Sequence, residues 1–330
     1  MKRRFGQIIL IFSIISFLVV GSAIAETVTL TAASGGTGGT WFGQMAAISK
    51  LIQEEEPDIV LKTVPGAGLA NVVRVNNNEA QVAWSMPIIN RWAVKGEDPF
   101  KKSNPNVRGI AVGFTLHPCR FYAKRDAGID SLDQIAKKKL PIKLVVSTRG
   151  RADEKLGRMM LDYYGISYDS IKKSGGRIMH LEYMDQSKKI KDGQADILFH
   201  MWPVPSSFIQ EIVLTTPMKS LPQDPELAKV FADKYGFATT KITPGLYKQK
   251  VVDEEYITPA VDLALIVNKD IDDGIVYRIT KAICENEAKI RSISSRFETF
   301  TAKKAGNVKL IGVPLHPGAE KYYREKGYLK

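Results

Sequence analysis

The chain is poor in the residues that carry most enzymatic and metal chemistry. Only two cysteines, Cys119 and Cys284, and four histidines occur in its 330 residues. Two cysteines exclude a disulfide-rich scaffold and leave open either one disulfide or two buried thiols. His117, His180, His200 and His316 show no H-x-x-x-H or related spacing, so no metal site is expected. There is no G-x-S-x-G elbow, and no cysteine is matched to a histidine as a nucleophile requires. Gly36-Thr37-Gly38 lacks the third glycine of a dinucleotide fingerprint, because Trp41 stands there, and no G-K-[ST] follows for a P-loop. These absences predict neither a catalytic residue nor a cofactor. Apart from Lys137-Lys138-Lys139 the basic residues are scattered, with no aromatic-interleaved stripe, which argues against a nucleic-acid partner.

The N-terminus carries an export signal. Met1-Lys2-Arg3-Arg4 is a positive n-region, Ile8 to Val20 an apolar run too short for a comfortable membrane span, and Ala23-Ile24-Ala25 a small-x-small cleavage site. Cleavage after Ala25 is expected, leaving an exported body that starts at Glu26. Loss of Lys2, Arg3 and Arg4 lowers the formal charge from +12 by three, to +9. A basic exported protein attracts anionic solutes, acidic partners or an anionic surface.

The stretch around which the chain is organised is Val28 to Ala47. A β-branched strand enters a loop with four glycines among residues 35–39, and a helix opens at Thr40 or Trp41. Such a loop presents N–H groups at the positive end of a helix dipole and lets a ligand approach the backbone, so it suits an anion or carboxylate. It is equally a tight strand-to-helix turn with no ligand. Two further turns repeat the construction, Pro65–Gly68 and Ser147–Arg151.

Strand-like and helix-like runs alternate along most of the chain, which predicts an α/β protein with parallel sheets and helices on both faces. Expected strands include Ile59–Val64, Gln81–Ser85, Gly109–Phe114, Cys119–Lys124, Ile142–Ser147, Ile178–Tyr183, Ala195–His200 and Val261–Asn268. Prolines and Gly245 break the pattern between about Val213 and Tyr256, around one helix from Pro225 to Tyr235. Asp272 to Ile293 reads as a single long helix, with Ile275, Ile279, Ile283 and Ile290 at near-helical spacing. Two α/β lobes suit this order better than one large sheet. Ligands of open α/β sheets settle outside the carboxyl ends of strands, so the three loops would face a common cleft.

Several motifs, in order, resemble one family. Ser34-Gly35-Gly36-Thr37-Gly38-Gly39-Thr40-Trp41-Phe42 is similar to T-G-G-T-G-G-T-Y-Y of the TAXI (TRAP-associated extracytoplasmic immunogenic) solute receptors. Pro65-Gly66-Ala67-Gly68-Leu69-Ala70-Asn71 resembles that family's second loop, and Ala80-Gln81-Val82-Ala83 the segment behind it. Residues 276–282 and 314–319 resemble its C-terminal signatures. The resemblance spans essentially the whole exported body. It implies a two-lobed, Venus-flytrap receptor (type II-like) with two crossing strands, for which Cys119–Lys124 and Val261–Asn268 are the candidates. Residues 26–118 with 262–330 would form lobe 1, and 119–261 lobe 2. It also implies delivery of a small, anionic solute, a glutamate-like amino acid or dicarboxylate, to the membrane subunits of a tripartite ATP-independent periplasmic (TRAP) transporter.

On this reading the ligand-binding residues are Gly36, Thr37, Gly38, Thr40, Trp41, Gly66, Ala67, Gly68, Asn71 and Ser85 on lobe 1. Lobe 2 contributes Ser147, Thr148, Gly150, Arg151 and Trp202. The lobe-2 loop departs from the family's P-G-S-G-T: Arg149-Gly150-Arg151-Ala152-Asp153 places Arg151 where a small hydroxyl residue is expected. Its guanidinium can pair with an anion in the cleft, or with Asp153 or solvent outside it. Trp41, Trp84 and Trp202 fall at candidate cleft edges and Trp92 within a helix; each is a core residue or a cleft wall. His200 is expected to be a hydrogen-bonded structural residue. The alternatives to a receptor are an exported enzyme or a surface antigen or adhesin on the same scaffold.

Overall fold

The computed structural model describes residues 27–37, 39–149 and 151–329. The expected signal peptide and its cleavage point lie outside them. Thirteen strands are present, in three sheets, among the described residues. The first sheet runs β2 (Ile59–Val64), β1 (Val28–Ala33), β3 (Val82–Ser85), β13 (Ala264–Asn268), β4 (Val107–Val112). The second runs β10 (Met218–Ser220), β6 (Arg120–Lys124), β9 (Ile197–His200), β7 (Lys143–Val146), β8 (Arg177–His180). A small third sheet, β11 (Ala238–Ile242), β12 (Tyr256–Val261), β5 (His117–Pro118), lies where the chain passes between the other two.

The sheets follow from the residues. β13, Ala-Leu-Ile-Val-Asn, is buried at every position because it is central and covered on both faces. β2 alternates at its start, with Ile59 and Leu61 inside, as an edge strand should. The C-terminal segment closes over β4: Gly109 donates to Pro314 O (2.8 Å) and accepts from His316 N (3.0 Å). A Cβ on Gly109 would lie 2.7 Å from Ile311, so the close approach requires glycine.

Three expectations are corrected. The sheets are mixed, because β13 is antiparallel to β3 and β4, and β6 is antiparallel to β9. Each of these strands enters its sheet directly from the other sheet's side, without a helical crossover to reverse its direction. The run Val261–Asn268 is broken at Asp262-Leu263, so its first residue belongs to β12 and the rest to β13. The single long helix is two, Asp273–Glu285 and Glu287–Ile293, because Asn286 leaves helical geometry (φ −112°, ψ 39°) and its side chain bonds back to Ala282 O at 2.9 Å. The two cysteines are free buried thiols, and burial pushes both up to about 12.

Asp262 sits at the corner between β12 and β13, and its carboxylate accepts the Leu263 N–H at 2.7 Å. Burial outweighs this and other backbone hydrogen bonds and raises its pKa from 3.8 to about 7. A carboxyl raised in the folded state stabilises the fold fully below its unfolded pKa, and that contribution is lost as pH rises through 7. Asp262→Asn should therefore gain on the parent protein by about 2–4 kcal/mol between pH 4 and pH 8. Urea unfolding of both proteins across that range checks it; a difference independent of pH would refute the assignment.

Candidate functional site

Strand ends from both large sheets open on a cleft of about 610 Å³. One wall is built by the turn after β1, through Gly35, Gly36, Gly39, Thr40 and Trp41, and by the turn after β2, through Gly66, Ala67, Gly68 and Leu69. Met86 and Ile89, following β3, complete it. The opposite wall comes from the turn after β7 (Arg151, Ala152, Asp153), from Tyr183 after β8, and from Met201, Trp202, Pro203, Ser206 and Ser207 after β9. His117 of β5 and Arg296 lie between.

The two glycine turns are tied together from within. Asn71 is fully buried; its amide donates to Ser34 O and to Trp84 O, each at 2.8 Å, and its carbonyl accepts from Ala67 N at 3.0 Å. One side chain thus clamps the ends of β1 and β3 to the turn after β2. Gly66 lies against this clamp, with space for no side chain: a Cβ would meet Ser34 O at 2.9 Å and the Asn71 carboxamide more closely still.

Helix starts concentrate at the cleft. The helices Thr40–Glu55, Gly68–Asn76, Pro87–Lys95, Ala152–Tyr163 and Tyr183–Lys191 all begin at the lining, and in none does the N-cap side chain bond the first turn, although within the fourth Asp153 accepts the Glu154 N–H at 3.2 Å. Several helices that begin elsewhere are capped, by Ser131, Ser167, Asp224, Asp272 and Asn307. Only the helix Ser207–Val213 starts at the cleft with a cap, Ser206. An N-cap with no side-chain acceptor leaves first-turn donors and the positive dipole end turned towards the cleft, the electrostatics of an anion site.

Of the site residues expected from sequence, Gly36, Thr40, Trp41, Gly66, Ala67, Gly68, Arg151 and Trp202 meet at the cleft. Thr37 is exposed beside it, and Gly38 and Gly150 lie outside the described residues. Asn71 and Ser85 are fully buried behind the wall. Ser147 is buried, its hydroxyl donating to Asp153, and the Thr148 hydroxyl donates to Glu182 at 3.2 Å. Arg151 lines the cleft and makes the Asp153 pairing of its two expected ones: its Nε is 3.6 Å from Asp153, its Nη1 3.5 Å from Glu182, and its Nη2 donates to the Tyr183 hydroxyl at 3.0 Å.

Trp41 and Trp202 are half-buried walls, whereas Trp84 is core, edge-on to Phe114 at 4.9 Å, and Trp92 is buried in its helix. His200 is structural, but ring packing holds it rather than hydrogen bonds. It stacks on Phe208 (4.8 Å) and meets Trp202 edge-on (4.1 Å), and neither ring nitrogen has a partner among the described residues. Burial drives its pKa well below the usual value, and drives that of His117 down to about 3 with the Arg296 charge acting the same way.

Sequence reasoning missed Met86, Ile89, His117, Asp153, Tyr183, Met201 and Arg296. Met86 and Ile89 follow a strand end and were within reach of the strand-turn-helix rule. Tyr183 reads as a strand residue because Leu181-Glu182-Tyr183 continues the β8 alternation, although it opens a helix. Arg296 has no local signal; it reaches Thr40 from 256 residues away.

The arrangement is that of a two-lobed periplasmic binding protein, an α/β fold with a cleft between two mixed sheets. Solved structures with this fold include a TctC solute binding protein from Polaromonas (TM-score 0.54, 14% identity, covering 93% of this chain and 100% of that one). PhnD1 from Prochlorococcus marinus, in complex with methylphosphonate, is similar at TM-score 0.52 and 11% identity, over 91% of this chain and 99% of its own. MatC from Rhodopseudomonas palustris, with bound malate, matches at 0.52 and 11%, over 92% and 99%. The chain belongs to the NMT1-like family, whose pattern matches residues 32–327.

Removing the clamp should loosen the wall. Asn71→Ala leaves two buried carbonyls and one N–H unpaired and should cost about 2–3 kcal/mol in urea unfolding. Gly66→Ala, which adds one methyl at the same point, should also lower stability; if neither variant unfolds more readily than the parent, the clamp does not hold these turns.

Proposed function

We propose that this protein is an extracytoplasmic receptor that closes around a small organic anion and presents it to the membrane subunits of a transporter. The observation that carries the reading is the set of five uncapped helix starts facing one cleft. Their donors, with Arg151 and Arg296, would take the anionic group, while Trp41, Trp202, Met86 and Ile89 pack on its carbon body. A small ligand needs to favour the closed form by only a few kcal/mol to shift the population towards it.

The lobes would comprise residues 26–118 with 262–330, and 119–261, the β5–β12 pair acting as the hinge. The packing of residues 306–316 on β4 supports the return of the C-terminal segment to lobe 1. The loops at 34–42 and 65–71 favour a TRAP transporter as the partner, on their resemblance to TAXI receptors. An exported form, cut after Ala25, would place the receptor in the periplasm.

One contact between the proposed lobes would act as a latch on closure. Lys155, on the helix that follows β7, pairs with Asp98 at 3.0 Å, donates to the Asp98 carbonyl, and lies 4.2 Å from the centre of the Trp92 ring. The Lys155 side chain is only 17% exposed, against 75% for Asp98, so the lysine end of the contact is partly dehydrated. Lys155→Met should weaken closure by about 1 kcal/mol, hence ligand affinity by roughly fivefold, with little change in unfolding.

The reading is tested on the purified exported form by thermal shift and intrinsic tryptophan fluorescence against carboxylates, sulfonates, phosphonates and amino acids. At least one small anion should raise the melting temperature and change the emission of Trp41 and Trp202. No response to any of them would overturn the receptor reading. A neighbouring gene for a multi-spanning TRAP subunit would support the choice of transporter.

A further inference from the structure

We propose that the solute carries a single anionic group that docks on Arg296, an apolar body, and no ammonium group. This rests on the receptor reading and narrows it, away from the glutamate or dicarboxylate that family resemblance implies. It comes from the charge pairing inside the cleft.

Two guanidinium groups reach the lining, and only one is free. Arg151 is engaged by Asp153, Glu182 and the Tyr183 hydroxyl, and its plane lies 4.8 Å from the Tyr183 ring centre. Arg296 pairs with no carboxylate among the described residues; its Nη1 only donates to the Thr40 hydroxyl, at a long 3.4 Å. That hydroxyl belongs to the first residue of an uncapped helix. An anion placed there would meet a guanidinium, a hydroxyl and a helix dipole together, with His117 beside it held neutral.

Arg296 is also held in place. It sits in the short turn Ser295–Phe297, whose start is capped by Ser294 accepting the Arg296 N–H at 3.3 Å. The next residue, Phe297, is fully buried, 5.4 Å from Phe114 and 6.4 Å from Trp84 between ring centres. The Thr115 hydroxyl donates to the Arg296 carbonyl at 3.5 Å. These contacts fix the backbone from which the guanidinium reaches the cleft, so the base of the side chain is already positioned before a ligand binds.

The lining offers an ammonium no unengaged carboxylate among the described residues. Asp153 is its only carboxylate among the described residues. That group accepts from the Ser147 hydroxyl, from the Tyr183 hydroxyl at 2.8 Å and from Glu154 N at 3.2 Å, and it faces Arg151. Three hydrogen bonds and the facing guanidinium therefore already engage this carboxylate. A second carboxylate on the solute would find helix starts but no guanidinium without an acid partner, since Arg151 is already engaged by two acids, so closure would strip its water without an unpaired cation in return. Apolar side chains, Trp41, Met86, Ile89, Met201 and Trp202, make up much of the remaining lining.

Isothermal titration with a matched series tests the idea: 3-phenylpropionate and 4-methylpentanoate as single anions, L-phenylalanine and L-leucine with an added ammonium, succinate and L-glutamate with a second carboxylate, and 3-phenylpropan-1-ol without the anion. At least one of the two monocarboxylates should bind about tenfold or more tightly than every other probe. Arg296→Gln should weaken that binding by about a hundredfold without changing the melting temperature, and Arg296→Lys should restore part of it. Tighter binding of glutamate or succinate, or full affinity in Arg296→Gln, would overturn the proposal and leave the receptor reading standing. Binding of no probe in this series or the broader anion panel would overturn both.

Discussion

The buried amide of Asn71 holds the first wall of the cleft together. Three polar backbone groups from three separate segments converge on it, Ser34 O, Trp84 O and Ala67 N, and each would otherwise be left unpaired away from water. Because this one side chain satisfies all three, the turns after β1 and β2 and the end of β3 are locked at fixed separations. The helix starts at Thr40, Gly68 and Pro87 then reach the cleft together. Gly66 is glycine for the same reason: the clamp occupies the space a methyl group would need.

The second wall is organised by charge. Asp153 gathers Ser147, Tyr183 and Arg151, so the guanidinium that most attracts notice in the sequence is largely spent on structure. Behind this wall Arg120 is fully buried without a carboxylate among the described residues. It donates to Trp202 O at 3.1 Å and to the Tyr247 hydroxyl at 3.3 Å, and lies 5.0 Å from the Tyr122 ring centre. A buried guanidinium keeps its charge, so it adds to the positive potential of the cleft while anchoring the backbone of Trp202. On the proposed receptor reading, specificity would rest on which cations remain free after internal pairing, rather than on how many arginines line the site.

Much of the fold was legible because its signals are local. The three strand-turn-helix turns, the helix Pro225–Tyr235 and the extents of most strands follow from β-branched runs, glycine turns and proline breaks. What was misjudged depended on long-range context. The antiparallel insertion of β6 and β13, the corner at Asp262 and the break at Asn286 are set by how the chain returns from one sheet to the other, which residue periodicity does not encode. The site was legible in the same proportion: its glycine turns could be read, while Arg296, His117 and Tyr183 could not.

By itself the sequence determined the α/β class, the three glycine-rich or small-residue turns and their helix starts, because backbone conformation there depends on glycine and proline within a few residues. Only the tertiary structure decided which turns face one another, that Arg151 is paired and Arg296 is not, and that Trp41 and Trp202 form walls while Trp84 and Trp92 are core. Those outcomes depend on residues up to 256 positions apart in the chain. Charge pairing and burial act through space, and only the folded chain brings such residues within reach.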